Sequence, residues 1–279
     1  MTRHTALPQP GADPFTERTP RVVAARKLTR RAERDKAGRF LAEGANAVDA
    51  ALTREQHERG SLHELFVAER ALENSAALLQ RAQELDVPIS LLTDRAADAL
   101  SETVTPQGIV AVCELLDRPL ETVLGGEAKL VVVLVDVSDP GNAGTVIRVA
   151  DAAGASAVIL AGETVDPHNG KCVRAAAGSL FHVPIARVRD VGAALAACSA
   201  AGLRTLAAHG YAEEQLDSIE LATPTAWVFG NEAHGLRPEV LELADTAVRI
   251  PIYGEVESLN LATAAAVCVY ASAMAAHKA

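Results

Sequence analysis

Three polar segments bring together residue types that can hold and activate a substrate. Asp136-Val-Ser-Asp-Pro-Gly-Asn-Ala-Gly-Thr-Val-Ile-Arg148 contributes Asn142 and Arg148; Phe229-Gly-Asn-Glu-Ala-His-Gly-Leu236 contributes Glu232 and His234; Ile250-Pro-Ile-Tyr-Gly-Glu-Val-Glu-Ser-Leu-Asn260 contributes Ser258 and Asn260. Carboxylate, guanidinium, amide and hydroxyl groups can orient a ligand, bind an anion and assist a proton transfer. Ser258 and Asn260 also open a stretch that carries no charge from Ser258 to Ala276. Both are capping types, and the free N–H groups and positive dipole end of a helix start favour an anionic ligand group. His234, beside Gly235, reads as a turn residue with a structural role.

Each segment follows a run that reads as a strand. Leu130 to Asp136 is continuously apolar, as in a parallel strand covered on both faces. Thr225 to Phe229 and Val248 to Ile252 are the other two. Between them the pattern predicts helices over Thr145–Ala153, Lys171–Ala177, Val191–Ala200 and Pro238–Ala244, and strands over Ala157–Leu160, Val183–Ala186 and Arg204–Ala208. The final helix, apolar or small all round, should be buried on most sides. In open α/β sheets ligands bind beyond the carboxyl ends of the strands, where these three segments lie. Gly141-Asn-Ala-Gly144 lacks GxGxxG spacing, and there is no P-loop, which disfavours a Rossmann dehydrogenase or common Rossmann methyltransferase.

An earlier α/β unit precedes this one. A basic helix is expected over Arg21–Arg39, with Arg26, Lys27, Arg30, Arg31 and Arg34 on one face. Strands follow at Phe40–Ala42, Leu62–Ala68, Ile89–Leu92 and Gly108–Leu115, and helices at Ala45–Leu52, Ser75–Glu84 and Ala96–Leu100. Residues 1–19 are a leader expected to be mobile, and 116–128, loosest at Gly125-Gly126, form a linker.

The 279 residues suffice for one large or two ordinary domains. Aromatics make up 3%, so the core must be Ala, Val and Leu. Cys113, Cys172, Cys198 and Cys268 show no CxxC spacing and read as reduced core thiols of a cytosolic protein, neither disulfides nor metal ligands. No signal-peptide core or membrane span is expected. Residues 1–40 hold ten Lys/Arg against four Asp/Glu, a basic leader on a chain of net charge −10. Such asymmetry points to a polyanion partner at that end.

Together the segments resemble the signature motifs of the SpoU/TrmH family, RNA ribose 2′-O-methyltransferases of the SPOUT class. Gly141-Asn142-x-Gly-x-x-x-Arg148 matches the first motif, Phe229-Gly-Asn-Glu-Ala-His-Gly-Leu the second, and Ile250-Pro-Ile with Glu257-Ser-Leu-Asn-Leu-Ala the third. Arg174-Ala-Ala-Ala-Gly-Ser-Leu-Phe-His-Val-Pro resembles the segment between the first two. The first unit is similar to the L30e-like RNA-binding domain that many members carry, through Phe40-Leu-Ala-Glu-Gly44 and Thr105-Pro-Gln-Gly108.

The resemblance implies an α/β fold with an L30e-like domain at 20–115 and a SPOUT methyltransferase domain at 129–279. That domain would have a mostly parallel sheet and a deep trefoil knot, an exception to unknotted folding. It implies a homodimer across the final helix, and S-adenosylmethionine held by loops near Gly210, Gly230, Ile250 and Leu259, with no metal. Arg148 would be the catalytic arginine. It would either take the 2′-hydroxyl proton, against its very high pKa, or fix a phosphate and stabilise developing alkoxide. Asn142, Asn260 and Ser258 would bond the site's loops or the nucleotide, and Glu232 would orient an arginine such as Arg148. Arg21, Lys27, Arg30, Arg39 and Arg174 would contact RNA. The activity so implied is S-adenosylmethionine-dependent 2′-O-methylation of a structured RNA in the cytoplasm, 23S ribosomal RNA before transfer RNA, with no DNA or membrane partner. The rival from another class is a non-catalytic RNA-binding ribosome factor; intact Asn142, Arg148, Glu232, Ser258 and Asn260 argue against it.

Overall fold

β-Branched and leucine-rich runs become the strands of two separate sheets. The computed structural model describes residues 13–278, and the chain divides into two units. One comprises the residues up to Leu115 together with Asp166–Phe181; the other comprises Leu116–Val165 and His182–Ala279.

The first unit opens with Pro20–Lys27 (α1) and Arg31–Ala37 (α2). The single basic helix expected over Arg21–Arg39 is therefore two, interrupted at Leu28–Arg30. Arg34 explains the break: its Nη1 donates to the carbonyl oxygens of Leu28 and Thr29, both at 2.9 Å. Next come Arg39–Glu43 (β1), Ala45–His57 (α3), Leu62–Ala68 (β2), Ala76–Glu84 (α4), Ile89–Leu92 (β3), Asp94–Ala99 (α5) and Ile109–Glu114 (β4). The sheet order is β1-β4-β2-β3, with β2 and β3 parallel and the other pairs antiparallel. Of the leader expected to be mobile, residues 1–12 lie outside the described residues. Residues 13–19 are docked: Phe15 exchanges hydrogen bonds with Leu91 and Thr93 at the edge of β3.

The second unit begins inside the stretch read as a linker. Leu120–Val123 (α6) buries Val123, and Leu124 after it, in the core of this unit. Leu130–Val135 (β5), Pro140–Ala152 (α7) and Ala157–Ala161 (β6) follow. Asp166–Phe181, with the helix Gly170–Ala176 (α8), then packs as part of the first unit. The second unit resumes with Ile185–Val188 (β7), Val191–Ala200 (α9), Arg204–Ala208 (β8), Glu214–Gln215 (β9), Thr225–Phe229 (β10), Pro238–Leu243 (α10), Thr246–Arg249 (β11) and Leu261–Ala276 (α11). Its seven strands run parallel in the order β7-β6-β5-β10-β8-β11-β9. Strand order reverses beside β5, and every β5 residue is buried.

Besides β7, which runs Ile185–Val188 and not Val183–Ala186, and the unexpected β9, three boundaries that bear on the site differ from expectation. Helix α7 starts at Pro140, not Thr145, because the Asp139 side chain accepts from Asn142 N–H at 2.8 Å and proline suits a first helical turn. Strand β11 ends at Arg249, before Pro251, which has no N–H to extend a ladder. Helix α11 starts at Leu261, with Asn260 as its cap rather than Ser258. One face of α11 is buried, and Trp227 Nε1 donates to Ser272 Oγ there at 2.9 Å. The opposite face leaves Val267, Tyr270 and Met274 exposed, so burial on most sides does not hold within one chain. No described helix is long and apolar enough to cross a membrane. All four cysteines are free and buried, and burial pushes the Cys268 thiol up to about 12.

Within the first unit, Asp166–Phe181 is fixed by charge and by close packing. Arg34, placed by its pattern on a basic surface, is only 2% exposed. Its Nε and Nη2 donate to Asp166 Oδ2 at 2.8 and 2.6 Å. At Gly178, φ is +99° and an added Cβ would lie 3.0 Å from the Asn46 carbonyl oxygen, so only glycine fits. Phe181 stacks on Phe40 with ring centroids 5.8 Å apart.

Candidate functional site

The carboxylate of Glu232, in the loop after β10, fastens the start of α7. It accepts from Ser138 N–H and Oγ–H at 3.1 Å each, from Asp139 N–H at 3.0 Å and from Asn142 Nδ2 at 3.2 Å. Asn142 Oδ1 in turn accepts from Asn260 Nδ2 at 3.1 Å, and Asn260 Oδ1 accepts from Ala262 N–H and Thr263 N–H. The three motifs are thus joined by one hydrogen-bonded line from Glu232 through Asn142 to the first turn of α11. Partial burial disfavours the Glu232 carboxylate, but the donors around it outweigh that and hold its pKa below the usual range.

Asp136 and Asn231 are further members that sequence reasoning did not single out. Asp136 directly follows β5 at φ +53°, a left-handed conformation that few residues other than glycine adopt. Its carbonyl accepts from Asn231 Nδ2 at 2.8 Å, its Oδ1 accepts from Glu163 N–H at 2.8 Å, and Arg237 pairs with Oδ2 at 3.3 Å. The positions after β5, β6 and β10 are thereby tied together. The signal was present in sequence: Asp136 directly follows the apolar strand, and Asn231 precedes Glu232.

Beside this network lies a cleft of about 360 Å³, beyond the carboxyl ends of β8, β10 and β11. Gly210, Gly230, Ile250 and Leu259 all line it, as do Glu232 and Ser258. Phe229, Ile250, Leu261 and Ala264 supply apolar wall. From Pro251 to Leu259 the described backbone makes no backbone–backbone hydrogen bond, leaving N–H and C=O groups available to a ligand. Gly230 has its own constraint: an added Cβ would stand 2.3 Å from the Gly235 carbonyl carbon, so the loop closes on itself only with glycine. Among the described residues, no three His, Cys, Asp or Glu side chains gather as metal ligands would.

Arg148 is exposed on α7 and has no hydrogen bond or ion pair with any described side chain. Within this chain the Glu232 carboxylate makes no contact with it, accepting instead from Ser138, Asp139 and Asn142. Of the five residues assigned to RNA, Lys27, Arg30 and Arg39 are exposed in the first unit. Arg21 pairs with Glu64 at 2.7 Å and lies over the Phe15 ring. Arg174 donates to the buried Glu43 at 3.1 Å, so its guanidinium is engaged internally.

Comparison with known proteins agrees with this construction. Residues 129–270 match the profile of the SpoU rRNA methylase family, and residues 41–119 match that of RNA 2′-O ribose methyltransferase substrate binding. A Bacillus subtilis relative, the 23S rRNA (guanosine(2553)-2′-O)-methyltransferase RlmP, is 36% identical over 88% of this chain and 92% of its own. A Streptomyces viridochromogenes 23S rRNA (uridine(2479)-2′-O)-methyltransferase is 30% identical over 97% and 95%. The crystal structure of an AdoMet-bound rRNA methyltransferase from Sinorhizobium meliloti superposes with a TM-score of 0.81 at 32% identity, covering 93% of this chain and 97% of that one. With both profiles matched in order and relatives aligned over most of its length, the chain belongs to the SpoU rRNA methylase family.

Proposed function

We propose that the chain transfers a methyl group from S-adenosylmethionine to a ribose 2′-hydroxyl of 23S ribosomal RNA. The observation that carries this reading is the Glu232–Asn142–Asn260 line, which fixes the helix bearing Arg148 beside a cleft suited to the cofactor. The fit rests on that cleft's apolar wall, its uncommitted backbone and its carboxylates Glu232 and Glu257, which favour a sulfonium cation. When bound, S-adenosylmethionine supplies an activated methyl electrophile. The protein's own task is then alignment of the 2′-hydroxyl and charge control as its proton leaves. Arg148, exposed and unpaired, is available to hold a phosphate and stabilise developing alkoxide. Its very high pKa makes that role chemically easier than proton abstraction. Lys27, Arg30 and Arg39 are free to meet phosphates, whereas Arg21 and Arg174 would have to leave carboxylate partners.

Two relatives named as 23S rRNA 2′-O-methyltransferases align over most of the chain and support that substrate. The exposed apolar face of α11 supports a homodimer. A trefoil knot and a cytoplasmic location complete the reading, the former supported by family membership and the latter by four reduced, buried thiols.

The test is a map of 2′-O-methyl positions across total RNA with and without the gene, joined to single-turnover transfer by Arg148→Ala. The expected result is one position lost from 23S rRNA and a rate loss of roughly 100-fold or more with cofactor affinity unchanged. A missing mark in transfer RNA would redirect the substrate. Near-normal transfer by Arg148→Ala would remove that residue from the mechanism.

A further inference from the structure

The chain has five Phe, one Trp and three Tyr. Phe40, Phe66, Phe181, Trp227 and Phe229 are buried, as a core poor in aromatics would demand. Tyr211 and Tyr253 are the opposite, 88% and 92% exposed. Tyr211 lines the cleft after β8, and Tyr253, outside the lining itself, directly follows Ile252, which lines it within the uncommitted segment. The His209 ring meets Tyr211 edge-on at 5.9 Å and steadies one side of it. The cleft interior has its own apolar wall in Phe229, Ile250 and Leu261, which leaves the rim rings open to a second ligand. Charge narrows what that ligand presents. Glu257 lines the cleft and Glu213 is exposed beside Tyr211, so a phosphate is repelled here while the flat face of a base is not.

We infer that Tyr211 and Tyr253 form a stacking rim that takes a nucleobase of the substrate RNA at the cleft mouth, an inference that rests on the methyltransferase reading above. Turning a ribose 2′-hydroxyl toward the cleft pulls its nucleotide out of the RNA stack, and aromatic faces at the entrance replace the stacking that is lost. Neither ring touches the reacting atoms, so both are positioning residues.

The experiment compares Tyr211→Ala, Tyr253→Ala, their double variant and the two Phe variants in the full chain, with the mapped 23S rRNA fragment as substrate. Each alanine should raise the RNA KM by roughly five- to a hundredfold, as loss of base–aromatic stacking does, while Phe restores it. Cofactor affinity by calorimetry should change far less than the RNA KM, since Tyr211 stands at the cleft's exposed edge. A stacking-sensitive fluorescent base, placed at the target nucleotide of the same fragment, should be quenched by the parent and by the Phe variants but not by the double alanine variant. An unchanged KM in the double variant overturns the inference. Lost cofactor affinity would assign the rings to the cofactor, Phe variants as weak as Ala would assign the role to the hydroxyl, and conversion to monomers would assign Tyr253 to an interface between copies; each also overturns it. The quenching readout needs no turnover, so absence of methyl transfer by the parent would refute the enzymatic reading separately.

Discussion

Replacing Asn142 with Asp changes one NH2 group to oxygen and little else, which makes it a sharp test of the hydrogen-bonded line. Asn142 presents Nδ2 to Glu232 at 3.2 Å and Oδ1 to Asn260 Nδ2 at 3.1 Å, and only this amide orientation satisfies both neighbours. In Asn142→Asp the oxygen facing Asn260 still accepts, but the other sets carboxylate against carboxylate. Two unit charges at that distance repel by about 1.3 kcal/mol at the dielectric of water and about 2.6 kcal/mol at half that value. Glu232 is exposed, so the lower figure applies more nearly. The lost hydrogen bond adds on the order of 1 kcal/mol. Together about 2–3 kcal/mol corresponds to roughly a 30- to 150-fold loss of transfer, if this contact decides where α7 carries Arg148. The assay is single-turnover methylation of the mapped RNA at saturating cofactor, from about pH 5 to about pH 8. In the parent, partial burial works against the Glu232 carboxylate and the surrounding donors hold its pKa low nonetheless. In the variant two facing carboxylates share a proton to higher pH, so the defect shrinks on acidification. Asn142→Ala has no proton to share and should show no such relief. Full activity of Asn142→Asp at neutral pH, or identical pH profiles for the Asp and Ala variants, would refute the reasoning.

Arg34→Ala should destabilise the first unit by about 3–5 kcal/mol, because it leaves the Asp166 carboxylate, 4% exposed, without its guanidinium. Denaturant unfolding followed by hydrogen exchange in α2 and α8 measures this, and an unchanged stability would show the pair to be dispensable. Burial alone would raise the Asp166 pKa, but His168 and Arg34 depress it far below the usual carboxylate range. Its contribution is therefore present above about pH 4 and lost as the pH falls below that, so acid should narrow the gap between parent and Arg34→Ala. Met274→Lys with Tyr270→Lys should yield monomers in sedimentation, since both side chains lie on the exposed face of α11; a persistent dimer would place the interface elsewhere. A chain beginning at Glu127 should lose exchange protection across 166–181, because Cys172, Val173, Leu180 and Phe181 are buried in the unit that is removed. Retained protection would show that this segment packs without residues 13–115.

Much of the fold was legible because local pattern and burial agree. The run Leu130–Val135 reads as a strand covered on both faces, and all six residues are buried in the interior of a parallel sheet. What escaped reading depended on partners remote in sequence. Arg34 has the composition of a solvated basic face, yet its carboxylate lies 132 residues away. Glu232 looked suited to orient an arginine, yet its donors come from 90 to 94 residues upstream and are mostly backbone N–H and hydroxyl groups. The start of α7 was legible in principle from Asp139-Pro140, a capping residue followed by proline, but the motif around Asn142 suggested a loop. The segment 166–181 carries ordinary helix signals that cannot announce which of the two units it completes.

The placement of Asn142 in a helix, not a loop, alters what the first and third motifs do together. Asn142 lies in the first turn of α7 and Asn260 caps α11, so their side-chain bond joins the starts of two helices that pack on each other. Ser258, Leu259, Leu261 and Ala264, on and before the first turns of α11, line the cleft, while Arg148 rides on α7. Any ligand that orders the Ser258–Leu261 stretch therefore acts on the frame that carries Arg148, through two amides and one carboxylate. On the proposed roles, a free loop at Asn142 would let cofactor binding and ribose positioning vary independently. Two helix starts held in register couple them, so the variants that loosen the register should lower turnover at saturating cofactor more than they lower cofactor affinity.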